Sequence, residues 1–294
     1  MNVKWLDERK EILGWILGGA CVMALCLLAT FPYGALHERL IAELNRATGM
    51  DVRVTDWTAA FPLGLEWRNV TLVKPEWEPI QLAFMRAKVG IATALGGRVR
   101  LDVMVRQDEA APDNGLAKAT VTASSFSFAG PVSVKGEFHQ MDLSKVVRRY
   151  VSRGVLNGDF SHRVDQSRDT AGLIKGEGTW KAEARDLAIE QLSVGNDRTL
   201  SLGFTNVSAG LLCRDSYCDV TELRGDGIDG SFTGEGSITV QQPMHNSQVA
   251  LTVTVVPGAG FLSKASTLGL PLLSPGTPMT MRIVGTLARA RIGL

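Results

Sequence analysis

An uninterrupted apolar segment near the start constrains this chain more than any other feature. Residues Ile12–Phe31 read ILGWILGGACVMALCLLATF and carry no charge. At a rise of about 1.5 Å per residue, a helix of this length spans roughly 30 Å, the thickness of a bilayer's hydrocarbon core. Because a backbone in lipid must satisfy its own hydrogen bonds, the segment is predicted to be a transmembrane helix. The sequence therefore predicts a short stub, one membrane helix and one large domain beyond it.

The flanks of this segment decide between a retained anchor and a cleaved signal peptide. Residues 28–30 (LAT) match the small-x-small cleavage pattern poorly, and the apolar core is longer than that of a signal peptide. Lys4, Arg9 and Lys10 lie on the short N-terminal side, and such residues favour the cytoplasm. We predict a retained single-pass anchor, with residues 1–11 cytoplasmic and the bulk of the chain on the far side of the membrane.

A second helix is predicted directly after the anchor. Over Tyr33–Thr48 the apolar residues recur at the 3.6-residue period of an amphipathic helix, with Pro32 before it and Gly49 after it. Its apolar stripe either covers one end of the following domain or lies on the bilayer surface. We favour the first interpretation. Residues 32–50 then separate the membrane helix at 12–31 from a domain at 51–294.

From Asp51 onward, short apolar–polar alternations follow one another, and 31 glycines are scattered along the chain, a pattern typical of many short strands. The first two strands form a hairpin, with a change of alternation at Asn69. Trp57, Trp67 and Trp77 are interpreted as core residues, with a partner surface as the alternative. Two segments alternate most regularly, and their apolar residues are predicted to form one dry face: Val99, Leu101, Val103, Val105, Val249, Leu251, Val253 and Val255.

The predicted fold is mainly β. Strands with one dry face need a second sheet, a helix or closure into a barrel to cover it, or they form a strongly curved sheet whose apolar concave face is left as a groove. Among these options we expect an elongated, curved, mostly antiparallel sheet, as a groove or an open barrel. A helix is predicted at Asp142–Ser152, with Asp142 as its N-cap, and a second short helix near 260–268. The first marks a possible subdivision of the domain near 142–154. Further strands are predicted near 155–164, 172–182, 186–193 and 198–206.

The four cysteines fall into two groups. Cys21 and Cys26 lie in the predicted anchor and are interpreted as small apolar residues. Cys213 and Cys218 form a C-x4-C pair across a tight loop, which favours a disulfide in an oxidising compartment. Free thiols are one alternative. A zinc site is the other, but it needs two more ligands, and the nearest histidine, His245, is far away in sequence.

The sequence predicts a protein that is not an enzyme and that uses no cofactor or metal. The net charge of +1 and the lack of a basic stripe with aromatic residues argue against nucleic-acid binding. The histidines are scattered, and no common catalytic or nucleotide-binding motif is present. The segment RGDGIDG at 224–230 resembles part of a calcium loop, but Gly and Asp are ordinary turn residues.

Several segments resemble the type II secretion system protein N (GspN) family. Phe31–Val54 (FPYGALHERLIAELNRATGMDVRV) carries the resemblance together with residues 62–65 (PLGL) and 68–72 (RNVTL). In the C-terminal third the matching segments are 225–240 (GDGIDGSFTGEGSITV), 247–255 (SQVALTVTV) and 283–287 (IVGTL). The resemblance implies structural roles for these motif residues: Pro62, Gly64, Asn69, Gly285 and Thr286. The first segment is also similar to the start of AsmA-like envelope proteins.

The resemblance implies a non-enzymatic, inner-membrane-anchored periplasmic component of the type II protein secretion system, with an assembly or scaffold role. Its partners are then other secretion subunits and, through Ile12–Phe31, the lipid bilayer. The alternative is an AsmA-like protein that binds or transfers lipid in an apolar β groove. An open apolar face favours this lipid-binding alternative, whereas apolar faces packed together in a closed sandwich would exclude it.

Overall fold

The structure, a computed structural model of the 294-residue chain, describes most of the region after residue 30. The described residues are six positions between 18 and 30, and the ranges 31–61, 63–74, 78–90, 97–109, 114–124, 130–148, 150–165, 175–193, 199–241, 246–267, 276–286 and 289–293. Within these ranges, fourteen strands form one sheet. The protein is therefore mainly β.

The strands follow the chain in order and keep the alternating pattern of the sequence. The first seven are β1 Asp51–Ala59, β2 Gly64–Val73, β3 Ile80–Val89, β4 Val99–Arg106, β5 Leu116–Ala123, β6 Val132–Asp142 and β7 Val151–Asp165. The remaining seven are β8 Lys175–Ser193, β9 Thr199–Arg214, β10 Tyr217–Gly227, β11 Gly230–Thr239, β12 Gln248–Pro257, β13 Met279–Thr286 and β14 Arg289–Gly293.

Each strand pairs antiparallel with the strand that follows it, so the sheet order is β1 to β14 without a crossover. In the described residues β1 and β14 do not pair with each other, and the sheet is open. All extensive strand–strand contacts found in these ranges join sheet neighbours. The fourteen strands therefore form one continuous antiparallel meander.

Helix α1 spans Tyr33–Thr48, the range that the periodicity predicts. It ends at Gly49, which has a left-handed φ of 67° and donates its backbone N–H to the carbonyl of Asn45 at 2.9 Å. The Asn45 side chain then accepts a hydrogen bond from the backbone N–H of Val52 at 2.9 Å, which fixes the turn into β1.

Helix α1 covers the apolar side of the first strands. Its stripe packs against a buried cluster that contains Leu65, Trp67 and Val70. The stripe consists of Tyr33, Leu36, Leu40, Ile41 and Leu44. The helix is thus a cap on the sheet, which is the interpretation that we favoured from the sequence.

An aromatic cluster holds the N-terminal half of α1 on the hairpin. Trp67 is 1% exposed, and its Nε1 donates a hydrogen bond to Nδ1 of His37 at 2.8 Å. The His37 ring stacks on Trp57, with centroids 4.9 Å apart. Trp67 is therefore a core residue, as predicted, whereas Trp57 is 39% exposed. Trp77 lies outside the described residues.

The predicted change of alternation occurs at Asn69. This residue adopts a left-handed φ of 51°, which Asn tolerates better than most side chains. Before it, Leu65 and Trp67 are buried, and after it Val70 is buried, so the buried side moves from odd to even positions. The kink keeps the whole of β2 packed under α1.

The helix predicted at Asp142–Ser152 is wrong in length. Helix α2 spans only Leu143–Val146, and β7 already begins at Val151. Asp142 does cap it, because its Oδ1 accepts hydrogen bonds from the Ser144 backbone N–H at 2.9 Å and hydroxyl at 2.6 Å. Beyond this turn, β-branched residues and the ladder with β8 favour a strand over a helix. One sheet runs continuously through the region 142–154.

Two strand predictions are also corrected. The segments predicted as separate strands at 172–182 and 186–193 belong to the single strand β8, which accommodates a positive φ of 50° at Asp186. Strand β9 extends beyond the predicted 198–206 to Arg214. The predicted short helix near 260–268 is α3, Ala259–Thr267.

No helix among the described residues is both long and apolar enough to cross a bilayer. Most of the predicted anchor, Ile12–Phe31, lies outside those residues.

Replacing Trp67 is expected to weaken the α1–sheet core strongly. Trp67→Ala removes a buried ring and leaves a cavity, at a cost of about 3–5 kcal/mol in the free energy of unfolding. Phe61→Ala is the matched control, because Phe61 is 75% exposed, and we expect it to change the free energy by less than about 0.5 kcal/mol. Denaturant titration of the full chain in detergent measures both. Equal midpoints for the two variants would contradict the assigned core.

Candidate functional site

The register places the apolar residues of almost every strand on one side of the sheet, because directly paired residues share a face. We call this side the apolar face. One row crosses eleven strands, from β3 to β13: Val89, Leu101, Val121, Val134, His162, Gly178, Cys213, Cys218, Ile238, Val249 and Gly285. Only His162 in this row carries a titratable side chain. The rows on either side are equally apolar, so the face is continuous.

The opposite side of the sheet is charged. One row of this side reads Glu66, Arg86, Met104, Lys118, Glu137, Asp159 and Lys181 in the strand register. Arg86 and Glu66 pair at 2.6 Å, and Lys118 and Glu137 pair at 3.6 Å. The two sides therefore differ sharply in character, one facing water and the other requiring apolar cover.

The middle of the apolar face is built from glycines beneath aromatic rings. A Cβ at Gly136 would come within 2.5 Å of the Phe160 ring, and Gly158 is crossed in the same way by Phe138. Gly178 lies under the His162 ring. The absence of side chains at these positions lets the rings lie flat, as in the aromatic rescue of glycines in sheets. The face is therefore broad and even.

Trp180 extends this aromatic layer across to β8. Its ring stacks on Phe160, with centroids 4.6 Å apart and planes inclined by 11°. The two residues are directly paired in the register, so the stack bridges β7 and β8. Sequence reasoning missed this central layer. The signal was present as glycines alternating with aromatic residues at strand spacing, but only the Val- and Leu-rich segments were selected.

Helices cover only parts of the apolar face. Helix α1 packs on the buried cluster of β1 to β3, and Leu101, Val103 and Val105 of β4 pack against the same cluster. Helix α3 contacts β9 and β11. Across the middle strands, the large residues of this face, such as Val134, Phe160 and Leu211, stay half-exposed.

The two segments whose apolar residues were predicted to form one dry face do lie on the same face, but they are far apart along the sheet. Val99, Leu101, Val103 and Val105 are on β4, whereas the four residues of β12 lie eight strands away. The four residues in question are Val249, Leu251, Val253 and Val255. The structure thus joins the two segments through the central strands rather than by direct contact.

The residues selected by family resemblance do not converge. Gly64 is buried at the start of β2 and Asn69 forms the kink of that strand, while Gly285 and Thr286 end β13. Gly285 has a φ of 131°, which favours glycine. Pro62 lies outside the described residues. These positions shape individual strands and do not form a site.

Cys213 and Cys218 are joined in a disulfide. They face each other directly on β9 and β10, next to the two-residue turn Asp215–Ser216, and each is 2% exposed. The bridge lies within the apolar face and closes the hairpin at that end. It therefore has a structural position, away from solvent.

His162 is a titratable residue within the apolar face. Burial lowers the pKa of the His162 imidazole below its ordinary value, and its Nδ1 has no hydrogen-bond partner. The ring is therefore neutral near pH 7 and acts as part of the aromatic layer.

The segment 224–230, which resembles part of a calcium loop, contains the buried carboxylate of Asp229. This residue lies in the turn between β10 and β11, with a side chain 1% exposed, and its Oδ2 accepts from Lys264 of α3 at 2.6 Å and from the Gly203 backbone N–H. This pair fastens α3 to the sheet. Among the described residues, no group of three acidic, histidine or cysteine side chains could hold a metal ion.

Comparisons of the chain with protein-family models, with curated proteins and with solved structures found no match. Its candidate site is thus defined by geometry alone, as an open apolar sheet face.

Adding a methyl group beneath the aromatic layer is expected to destabilise the protein. Gly136→Ala forces the Phe160 ring and the neighbouring strand apart, at a cost of about 1–3 kcal/mol. Gly34→Ala is the control, because its Cβ meets nothing within 4 Å in α1 and should stabilise the helix by up to about 1 kcal/mol. Thermal unfolding by circular dichroism gives opposite shifts for the two variants. Shifts of the same sign would contradict the packing described here.

Proposed function

We propose that this chain is a non-enzymatic, membrane-anchored periplasmic protein that holds the apolar chains of lipids on the open face of its sheet. The observation that supports the proposal is the continuous apolar face between the two helix-covered parts. An exposed apolar surface of this kind marks a binding site, because a soluble domain rarely leaves such a patch without an occupant.

The dimensions of the face suit long apolar chains. From β5 to β13, strand spacings of about 4.8 Å give a width of roughly 40 Å, and four rows of alternate residues give a height of roughly 20 Å. The natural twist of an open sheet would curve this surface into a groove of the AsmA-like kind. A chain lying on it contacts flat rings and small residues, without displacing any charged group.

The chemistry of the face favours a binding role over catalysis. Its single titratable side chain in the long row, His162, is kept neutral by burial and has no acidic neighbour in the register, where Val134 and Gly178 flank it. Enzymes need convergent polar groups around a reacting atom. The face offers instead the non-directional attraction that apolar chains require.

Polar substitutions on the apolar face are expected to weaken lipid-chain binding. Val134→Gln/Leu251→Gln places two amides where apolar chains would lie, and each uncompensated amide costs about 1–3 kcal/mol, so affinity falls by about tenfold or more. Lys135→Gln/Thr252→Gln is the matched control, because these neighbours point to the opposite side. Titration of the full chain in detergent with a fluorescent long-chain fatty acid measures both. No binding by the unsubstituted chain, or equal loss in both variants, would contradict the proposal.

A second candidate function is an assembly or scaffold role in the type II protein secretion system. The segment Phe31–Val54 supports it, since this segment resembles the secretion protein N family and provides both α1 and the entry into β1. An open sheet also has two edge strands, β1 and β14, that are able to pair with other subunits. Its partners would be the inner-membrane and periplasmic subunits of the apparatus.

Deleting the gene tests this second candidate. We expect the exported enzymes to accumulate in the periplasm and their activity outside the cell to fall, with recovery when the full chain is supplied in trans. The measurement is the ratio of extracellular to periplasmic enzyme activity. An unchanged ratio in the deletion strain would remove the secretion role and leave the lipid proposal standing.

A further inference from the structure

The direction of α1 shows which end of the sheet is nearer the proposed anchor. Asn45, near the C-terminus of α1, contacts Val52 at the start of β1, whereas His37 contacts Trp57 near the end of β1. The helix therefore begins at the end of the sheet that carries the β1–β2, β3–β4, β5–β6 and β7–β8 connections. We call this the proximal end, because Ile12–Phe31 directly precedes α1.

A cavity of about 410 Å³ at the proximal end is lined by cationic and hydroxyl side chains. Three arginines surround it, and none of the described residues that line it carries a carboxylate. The polar lining consists of Arg98, Arg100, Arg163, Thr122, Ser124 and Ser133. Four of these are successive partners across β4 to β7, namely Arg100, Thr122, Ser133 and Arg163. In this ladder the Thr122 and Ser133 hydroxyls lie between the guanidinium group of Arg100 on one side and that of Arg163 on the other.

The guanidinium groups are only partly neutralised. Arg100 is held through its Nε by Asp102 at 3.1 Å, and Asp102 also accepts a hydrogen bond from Thr120 at 2.7 Å. Glu177 faces Arg163 in the register but makes no ion pair with it. Arg98 has no acidic partner in the ranges that the structure describes. Of the three guanidinium groups that line the cavity, only that of Arg100 has a carboxylate partner among the described residues, so the lining carries an excess of positive charge.

The same cavity touches the apolar face. Val99 and Ala123 also line it, and they are paired residues of that face at its proximal edge, whereas Arg100, Thr122, Ser133 and Arg163 form the adjacent row, which points to the charged side. The cavity therefore lies where the two sides of the sheet meet at the proximal end. A ligand with its anionic head on the charged side there has to pass its apolar chains around the end of the sheet to reach the apolar face. Arginine is suited to such a head, because its planar fork matches the oxygens of a phosphate group.

We propose that this cavity binds the phosphate of an anionic membrane phospholipid, with the lipid's chains directed onto the apolar face. The inference rests on the proposed function for the chains and on the proposed anchor for the membrane as source. The proximal position brings the arginines towards the bilayer surface, where anionic lipids attract cationic side chains.

Native mass spectrometry of the full chain in a neutral detergent tests the site. We expect phosphatidylglycerol to be retained about tenfold better than phosphatidylcholine, and Arg98→Gln/Arg163→Gln to abolish that preference. Arg148→Gln/Arg153→Gln is the matched control, because both residues are exposed, lie at the opposite end of the sheet and lose the same charge. The control should keep the preference.

Equal retention of the two lipids by the unsubstituted chain, or an unchanged preference in Arg98→Gln/Arg163→Gln, would overturn the site. Competition by millimolar inorganic phosphate alone would overturn the lipid as its source. Diacylglycerol, which lacks phosphate, separates this site from the apolar face. If Arg98→Gln/Arg163→Gln still binds diacylglycerol, only the headgroup site is affected, whereas failure of the unsubstituted chain to bind it counts against the proposed function.

Discussion

Cross-strand pairing between consecutive strands is the constraint on which the whole structure depends. Because each strand pairs only with its sequence neighbours, the backbone hydrogen bonds are satisfied without any second layer. The register of these ladders then determines on which side of the sheet each side chain lies and which side chains are its neighbours. A slip of one residue in any hairpin would exchange the apolar and charged sides beyond it. The rows that run unbroken across eleven strands show that the two sides are kept apart throughout.

The sheet is stabilised unevenly. At the β1–β4 part, α1 buries Leu65, Trp67 and Val70 and provides the only extensive core found in the described residues. Further along, the disulfide closes the β9–β10 hairpin, and the Asp229–Lys264 pair holds α3 against the sheet. Between these supports, stacked rings over glycines substitute for a helix or a second sheet. This division leaves the central face available for a ligand.

Much of the fold could be predicted from local patterns. The period of α1, the alternation in β4 and β12, the kink at Asn69 and the capping role of Asp142 all depend on neighbouring residues, so the sequence displays them directly. The prediction of a helix at Asp142–Ser152 is wrong because the strand pairing of β7 with β8 outweighs the short helical periodicity of this segment. The arginine cavity could not be predicted, since Arg98 and Arg163 are brought together only by the register of four strands.

The strict order of the strands has a consequence for how such a chain can change in size. Since no strand depends on a distant segment for its place, the sheet behaves nearly as a one-dimensional array, in the manner of repeat proteins. Gaining or losing a hairpin would lengthen or shorten it by two strands and leave the remaining pairings intact. The architecture therefore permits relatives of different reach to arise by modest insertions, and it allows the N-terminal hairpins to form while later ones are still emerging.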